Sequence, residues 1–216
     1  MKYLAIIGAG ALGQQIAQHV TQCRAYTVTG FFDDILPIGA STPYGLVLGP
    51  VSAVHASYAR GMFDEVLLGI GYKHLARRQQ IYDELALTIP FGRFVHPSSY
   101  IDSSAYLGPG TFVSPGCVVE LNARIEANAF IYTGCLVTHD GVIGSHTFLA
   151  PGVRLAGRAQ IGMRCFLGIG TTVIENCTLA NDVRTGASTT VLESLSSGIY
   201  IGSPARLLPS ASLGYK

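Results

Sequence analysis

Charge is what this chain has least of. Asp, Glu, Lys and Arg make up only 12% of its 216 residues, against about a quarter in ordinary domains, and the formal net charge is +1. A nucleic-acid groove or an anionic membrane surface needs clustered Lys and Arg, so both partner classes are excluded. No apolar run approaches the roughly 18 residues that a transmembrane helix requires. There is no Cys-x-x-Cys pair, and an odd count of five cysteines suits a reducing compartment better than a disulfide framework. Met1-Lys2 followed by Tyr3 to Gly13 has the outline of a short secretory signal. The same residues are better explained as a strand and a glycine loop, and a cytoplasmic protein is expected. Low charge combined with 49% hydrophobic residues excludes disorder. Glycine, by contrast, is plentiful at 26 residues, which points to many tight turns and away from a plain helix bundle.

A six-residue repeat organises the second half. Stepping by six from Val95 gives Ile101, Leu107, Val113 and so on to Val191; sixteen of the seventeen positions are aliphatic, Thr185 being the exception. Four residues after each aliphatic, from Ser99 to Thr189, the side chain is small, and Cys117, Cys135, Cys165 and Cys177 fall in this series. Neither a helix nor a two-residue strand alternation produces a clean period of six. The pattern predicts a parallel β-helix of the hexapeptide kind, three hexads to a coil of 18 residues. Left-handed crossovers are taken from that repeat type, against the general right-handed rule. Each coil buries its apolar face only against its neighbours.

The first ninety residues read differently. Residues 3–7 form an apolar strand, followed by Gly8-Ala9-Gly10-Ala11-Leu12-Gly13 and a helical stretch from Gln14 to about Gln22. A second strand, Tyr26 to Phe32, ends in Asp33-Asp34, twenty residues past the loop, where an acidic side chain reaches a ribose hydroxyl in dinucleotide folds. A third strand, Glu65 to Leu68, runs into Gly69-Ile70-Gly71 and a helix over about 73–87. A full dinucleotide fold needs two such halves, and this length supplies one. The fold expected is therefore α/β, a half-Rossmann βαβ domain over residues 1–92, followed by an all-β left-handed parallel β-helix over 93–216. One alternative is a docking domain whose glycines serve only the turn; Asp33 and Asp34 would then be a solvated strand end.

Among six histidines, His19, His55 and His74 read as surface residues, and His96 beside Pro97 as structural. His139 and His146 fall on outward positions of the repeat. Asp140 adjoins His139 and can orient its imidazole, and Gly157 lies one coil further, stacked beside it. A glycine there leaves room for a ligand and offers an N–H to a developing oxyanion. Zinc needs three histidines meeting one ion. His96 precedes His139 by 43 residues, not a whole number of coils, so no metal is expected.

Thr138-His139-Asp140-Gly141-Val142-Ile143-Gly144, Ala150-Pro151-Gly152 and Leu155-Ala156-Gly157 resemble the catalytic stretch of the left-handed β-helix sugar-nucleotide N-acetyltransferases of bacterial bacillosamine and perosamine pathways. Sialic acid O-acetyltransferases are related. The likeness includes the glycine loop, Asp33-Asp34, Gly69-Ile70-Gly71, the hexads and Gly202-Ser203-Pro204-Ala205-Arg206. It implies acetyl-CoA as co-substrate, a nucleotide-linked amino sugar as acceptor, a homotrimer, and a place in lipopolysaccharide or O-antigen biosynthesis. By position, His139 is then the general base, Asp140 its orienting partner and Gly157 the amide that polarises the thioester. Gly168, Ile169, Gly186 and Ala187 line the pantetheine path, with His146 as a further acetyl-CoA contact. Gly10, Gly13, Asp33, Asp34 and Gly71 hold the nucleotide-sugar. Two departures stand out: Ala11-Leu12 replace a Gly-His of relatives, and Phe148 replaces a second histidine. The alternatives are a sugar hydroxyl as acceptor or a non-catalytic nucleotide-binding scaffold.

Overall fold

The computed structural model describes residues 1–209; the last seven residues of the second expected domain, 210–216, lie outside the described residues. The chain forms two compact units, Met1–His96 and one beginning at Pro97. The division falls after His96 because Phe94 is buried, and the Phe94 and His96 rings pack on His19 with centroids 6.4 and 5.6 Å away.

In the first unit the order is β1 (Lys2–Ile7), α1 (Ala11–Gln22), β2 (Tyr26–Phe32), β3 (Ser41–Thr42), β4 (Gly45–Gly49), α2 (Val54–Ala59), β5 (Glu65–Leu68) and α3 (Leu75–Leu85). The strands form one sheet in the order β3-β4-β2-β1-β5, parallel except where β3 turns back on β4. Strand β1 lacks polar alternation because it is central: Leu4, Ala5, Ile6 and Ile7 are 0% exposed. Helix α1 buries Ile16, Ala17 and Val20, a stripe at helical spacing. It starts at Ala11 rather than Gln14, because extended Gly10 is its N-cap. The hairpin β3–β4 and helix α2 occupy a stretch with no legible periodicity. Helix α3 starts at Leu75, after a 3-10 turn over Tyr72–His74.

The second unit is a left-handed parallel β-helix. Two-residue strands recur every six residues from Tyr100–Ile101 to Thr190–Val191. Each pairs in parallel with the strand one coil on, as in Val118↔Leu136, Arg124↔Val142 and Phe130↔Phe148. The strands stack into three faces. Leu136–Val137, Arg154–Leu155 and Thr172–Val173 share the first; Val142–Ile143 and Gln160–Ile161 the second; Phe148–Leu149 and Phe166–Leu167 the third. Core aliphatics such as Val137, Ile143, Leu149, Leu155 and Leu167 are 0% exposed. Burying each is worth about 1.5–3 kcal/mol as an upper bound. Cys117, Cys135, Cys165 and Cys177 are free, buried thiols in the small inward series, packing as small hydrophobes.

The corners carry a second series that hydrophobicity does not display. Every sixth residue from Gly110 to Ser188, three after each core aliphatic, has a positive φ between 54° and 77°. Gly, Asn and Asp hold most of these places, as the left-handed region requires. Asp140 and His146 both belong to the series, with φ of 57° and 63°.

Candidate functional site

His139 and Asp140 sit on the edge between the first and second faces, and the left-handed turn decides how they meet. With φ at 57°, Asp140 brings Oδ2 to 3.0 Å from Nδ1 of its own neighbour. Nδ1–H then donates to the carboxylate, which leaves Nε2 as the acceptor. Other groups fix the pair. The His139 N–H donates to Glu120 Oε2 at 3.2 Å, and its C=O accepts from the Arg158 N–H at 3.0 Å. Asn122 Nδ2 donates to Asp140 Oδ1 at 3.2 Å. The His139 hydrogen bond, then that from Asn122, with help from the Arg158 charge, hold the Asp140 carboxyl below the usual carboxylate range. Both side chains remain accessible, at 41% and 44% exposure.

Gly157 stacks against the free nitrogen. A β-carbon built on Gly157 would lie 2.5 Å from His139 Nε2, so the residue is glycine for space and not for backbone conformation. Among the described residues its N–H makes no hydrogen bond, although its C=O accepts from Asn176 at 3.1 Å. An imidazole with an open acceptor nitrogen and an unused amide donor thus sit side by side. They adjoin a shallow depression of about 350 Å³ on the first face, lined by Thr138, Leu155, Ala156, Ile174 and Glu175 among others.

The remaining β-helix candidates lie elsewhere. Gly168, Ile169, Gly186 and Ala187 form the edge between the third and first faces, so the first face separates them from His139. Gly168 must be glycine, since a β-carbon there would meet the Gly186 backbone at 2.6 Å. Ile169 is 59% exposed. His146 departs from its expected outward place. It sits on the remaining edge, is 4% exposed, and its Nδ1 lies 3.0 Å from Asn128 Nδ2, one coil earlier. A buried ring bonded to the preceding coil offers no surface to a ligand. Phe148 has a reason of its own: it stacks with Phe130 at 4.9 Å, which in turn stacks on Phe112 at 4.8 Å.

A second candidate site lies in the first unit. Strand β1 has β2 on one side and β5 on the other, so the loops after β1 and β5 diverge at a topological switch point, where parallel sheets bind ligands. The N-terminus of α1 opens there. Gly10 and Gly71 face open space, with nothing within 4 Å of a built β-carbon. Gly13 does not: its β-carbon would fall 1.8 Å from the Gly8 carbonyl oxygen. The close approach of α1 to the Gly8 backbone accounts for glycine at this position. Asp33 is held by backbone donors. Its Oδ2 accepts from Ala9 N–H at 2.7 Å, and Oδ1 from Ile35 and Leu36 N–H at 2.8 and 2.9 Å. Burial opposes ionisation, but these three backbone bonds outweigh it and hold the carboxyl below its ordinary range. Asp33 therefore braces the glycine loop. Asp34 remains half-exposed, accepting from Val51 N–H at 2.8 Å and pairing with Arg77 at 3.3 Å.

Sequence reasoning missed three contributors. Arg78, only 1% exposed, donates to the carbonyls of Leu68 and Ile70 at 2.7 and 3.1 Å and pins the Gly69–Gly71 turn. Helical spacing puts position 78 on the buried face between Leu75 and Ile81, which was its only signal. Glu120 and Asn122 were legible through one number, the 18-residue step back from Thr138 and Asp140. A depression at the opposite end of the sheet, lined by Met1, Thr21, Arg24 and Tyr44 among others, lies far from both glycine loops. No group of three His, Cys, Asp or Glu among the described residues could hold a metal ion. No helix among them is long and apolar enough to cross a membrane.

No protein-family model matches the chain, and no curated protein does. Solved structures match it over nearly its whole length. PerB from Caulobacter crescentus, in complex with CoA and GDP-perosamine, is 26% identical, with a TM-score of 0.86 over 97% of this chain and 98% of that one. The chain has the architecture of a hexapeptide-repeat sugar acetyltransferase. A histidine-to-alanine variant of GDP-perosamine N-acetyl transferase from the same organism, with the same ligands, is 26% identical and superimposes with a TM-score of 0.88, covering 97% and 98% of the two chains. The acetyltransferase domain of PglB from Neisseria gonorrhoeae is 25% identical at a TM-score of 0.86, covering 96% and 100%. The likeness therefore spans both units, the glycine-loop sheet as well as the coil.

Proposed function

We propose that this chain transfers acetyl from acetyl-CoA to the amino group of a nucleotide-linked amino sugar. The observation that carries the reading is the arrangement at His139, whose Nε2 is open while Nδ1 is committed to Asp140 and an unused Gly157 amide lies beside it. The acceptor amine attacks the thioester carbonyl as Nε2 takes its proton. Asp140 keeps the imidazole in the tautomer with Nε2 free and steadies the imidazolium. The Gly157 N–H meets the charge that develops on the carbonyl oxygen. No covalent intermediate on the protein is required, because both substrates are held together. The apolar depression of the first face suits a pantetheine arm, running toward the edge of Gly168, Ile169, Gly186 and Ala187. In the first unit, the free N–H groups at the start of α1 suit a diphosphate, with Gly10, Gly71 and Asp34 at the crevice.

A homotrimer belongs to this reading. Its solution mass would be three times the 22.8 kDa chain. The test is release of free CoA from acetyl-CoA across UDP-, dTDP- and GDP-linked amino sugars, with hydroxy-sugar counterparts alongside. His139→Ala should lower kcat about 10²–10⁴-fold with the fold intact. Unchanged turnover in that variant, or no acetyl transfer to any amino sugar, refutes the proposal.

A further inference from the structure

The corner that holds Asp140 is one rung of a ladder. Asn122, Asp140, Arg158 and Asn176 occupy the same left-handed place on four successive coils, with φ of 55°, 57°, 58° and 59°. Asn122 Nδ2 reaches Asp140 Oδ1 at 3.2 Å, and Arg158 Nε donates to Asn176 Oδ1 at 2.8 Å. Each oxygen of the Asp140 carboxylate thus has its own donor: the imidazole on Oδ2, the Asn122 amide on Oδ1. Arg158 is drawn toward the following coil, and its charge is felt at Asp140 from there. Without the amide, the exposed carboxylate is free to rotate toward Arg158 and away from the ring.

We infer that Asn122 is a positioning residue for the proposed acetyl transfer, clamping the Asp140 carboxylate so that it holds the His139 ring with Nε2 facing Gly157. The inference rests on His139 being the base. The groups that bear on the pair are His139 itself, Glu120 and Asn122 from the preceding coil, and Arg158 from the following one. Asn122 is exposed and sits at positive φ, which makes two variants informative. Asn122→Gly accepts that backbone and removes only the amide. Asn122→Asp keeps the shape and places a second negative charge beside Asp140.

Steady-state kinetics over pH should separate a positioning role from a structural one. Both variants should lower kcat, by about 2- to 10-fold for the lost hydrogen bond in Asn122→Gly, with KM for either substrate little changed. The acid limb of the rate profile, which reports the coupled pair, should move to higher pH in Asn122→Asp and to lower pH in Asn122→Gly. In Asn122→Asp the added charge favours the imidazolium. In Asn122→Gly the carboxylate, released toward Arg158, gives the imidazolium less support. A fall in melting temperature with an unmoved pH profile overturns the inference, and so does a KM effect at constant kcat, or wild-type behaviour of both variants. His139→Ala measured alongside tells the two readings apart. Full activity there sinks the base assignment, whereas loss there with unaltered Asn122 variants sinks this inference alone.

Discussion

Replacing Gly157 by alanine is the sharpest perturbation of the site, because one methyl group meets the His139 imidazole and little else. The new β-carbon would lie 2.5 Å from His139 Nε2 and 2.7 Å from Cε1. Ordinary contact needs close to 3.5 Å, so the imidazole must retreat by about 1 Å. The Gly157 backbone is not at positive φ, so alanine is accepted there without strain. The atoms that must give way are the end of one half-exposed side chain. The fold therefore tolerates the change, and under the proposed mechanism the cost should fall on catalysis. A misplacement of about 1 Å at a reacting group is worth about 10²-fold in rate. Gly157→Ala should lose about that much kcat, followed by thiol release from acetyl-CoA, with a melting temperature within a degree or two of the parent. Turnover within twofold of the parent would show that the imidazole does not need its present position. Loss of activity together with loss of fold would show that Gly157 is structural.

Gly168→Ala should do the reverse. There the β-carbon meets backbone at 2.6 Å, and backbone cannot rotate aside, so the melting temperature should fall markedly in a thermal scan. A stable variant would refute the close stacking of those coils. Asp33→Asn tests the brace of the glycine loop: with fewer acceptor sites for three backbone donors, urea unfolding at pH 7 should show a loss of about 1–3 kcal/mol. The Asp33 carboxyl is held below its ordinary range in the fold, so its contribution is complete above about pH 4 and fades as pH falls through the depressed value. The gap between parent and variant should narrow at pH 3; a constant gap would mean the charge is not what stabilises the loop.

Much of this was legible in the sequence, and the reason is geometric. In a parallel coil of constant pitch, sequence distance maps linearly onto space: 18 residues is one step up the same edge. The spacing alone therefore put Gly157 over His139 and the four core thiols inside. In the first unit, the strands Tyr26–Phe32 and Glu65–Leu68 were readable although Thr27, Thr29, Gly30 and Glu65 interrupt their apolar content.

Spacing says nothing about where a side chain turns once it leaves a corner. That depends on φ at the corner and on donors arriving from other parts of the chain. Only the folded molecule showed that a left-handed turn swings Asp140 onto Nδ1, and that Asn122 fastens its other oxygen. The same cause took His146 out of solvent and onto Asn128, and spent the Asp33 carboxylate on three backbone amides. Sequence determined the rung on which each residue stands; tertiary structure decided the direction in which it points, because hydrogen bonds at the corners come from neighbours that no local pattern records.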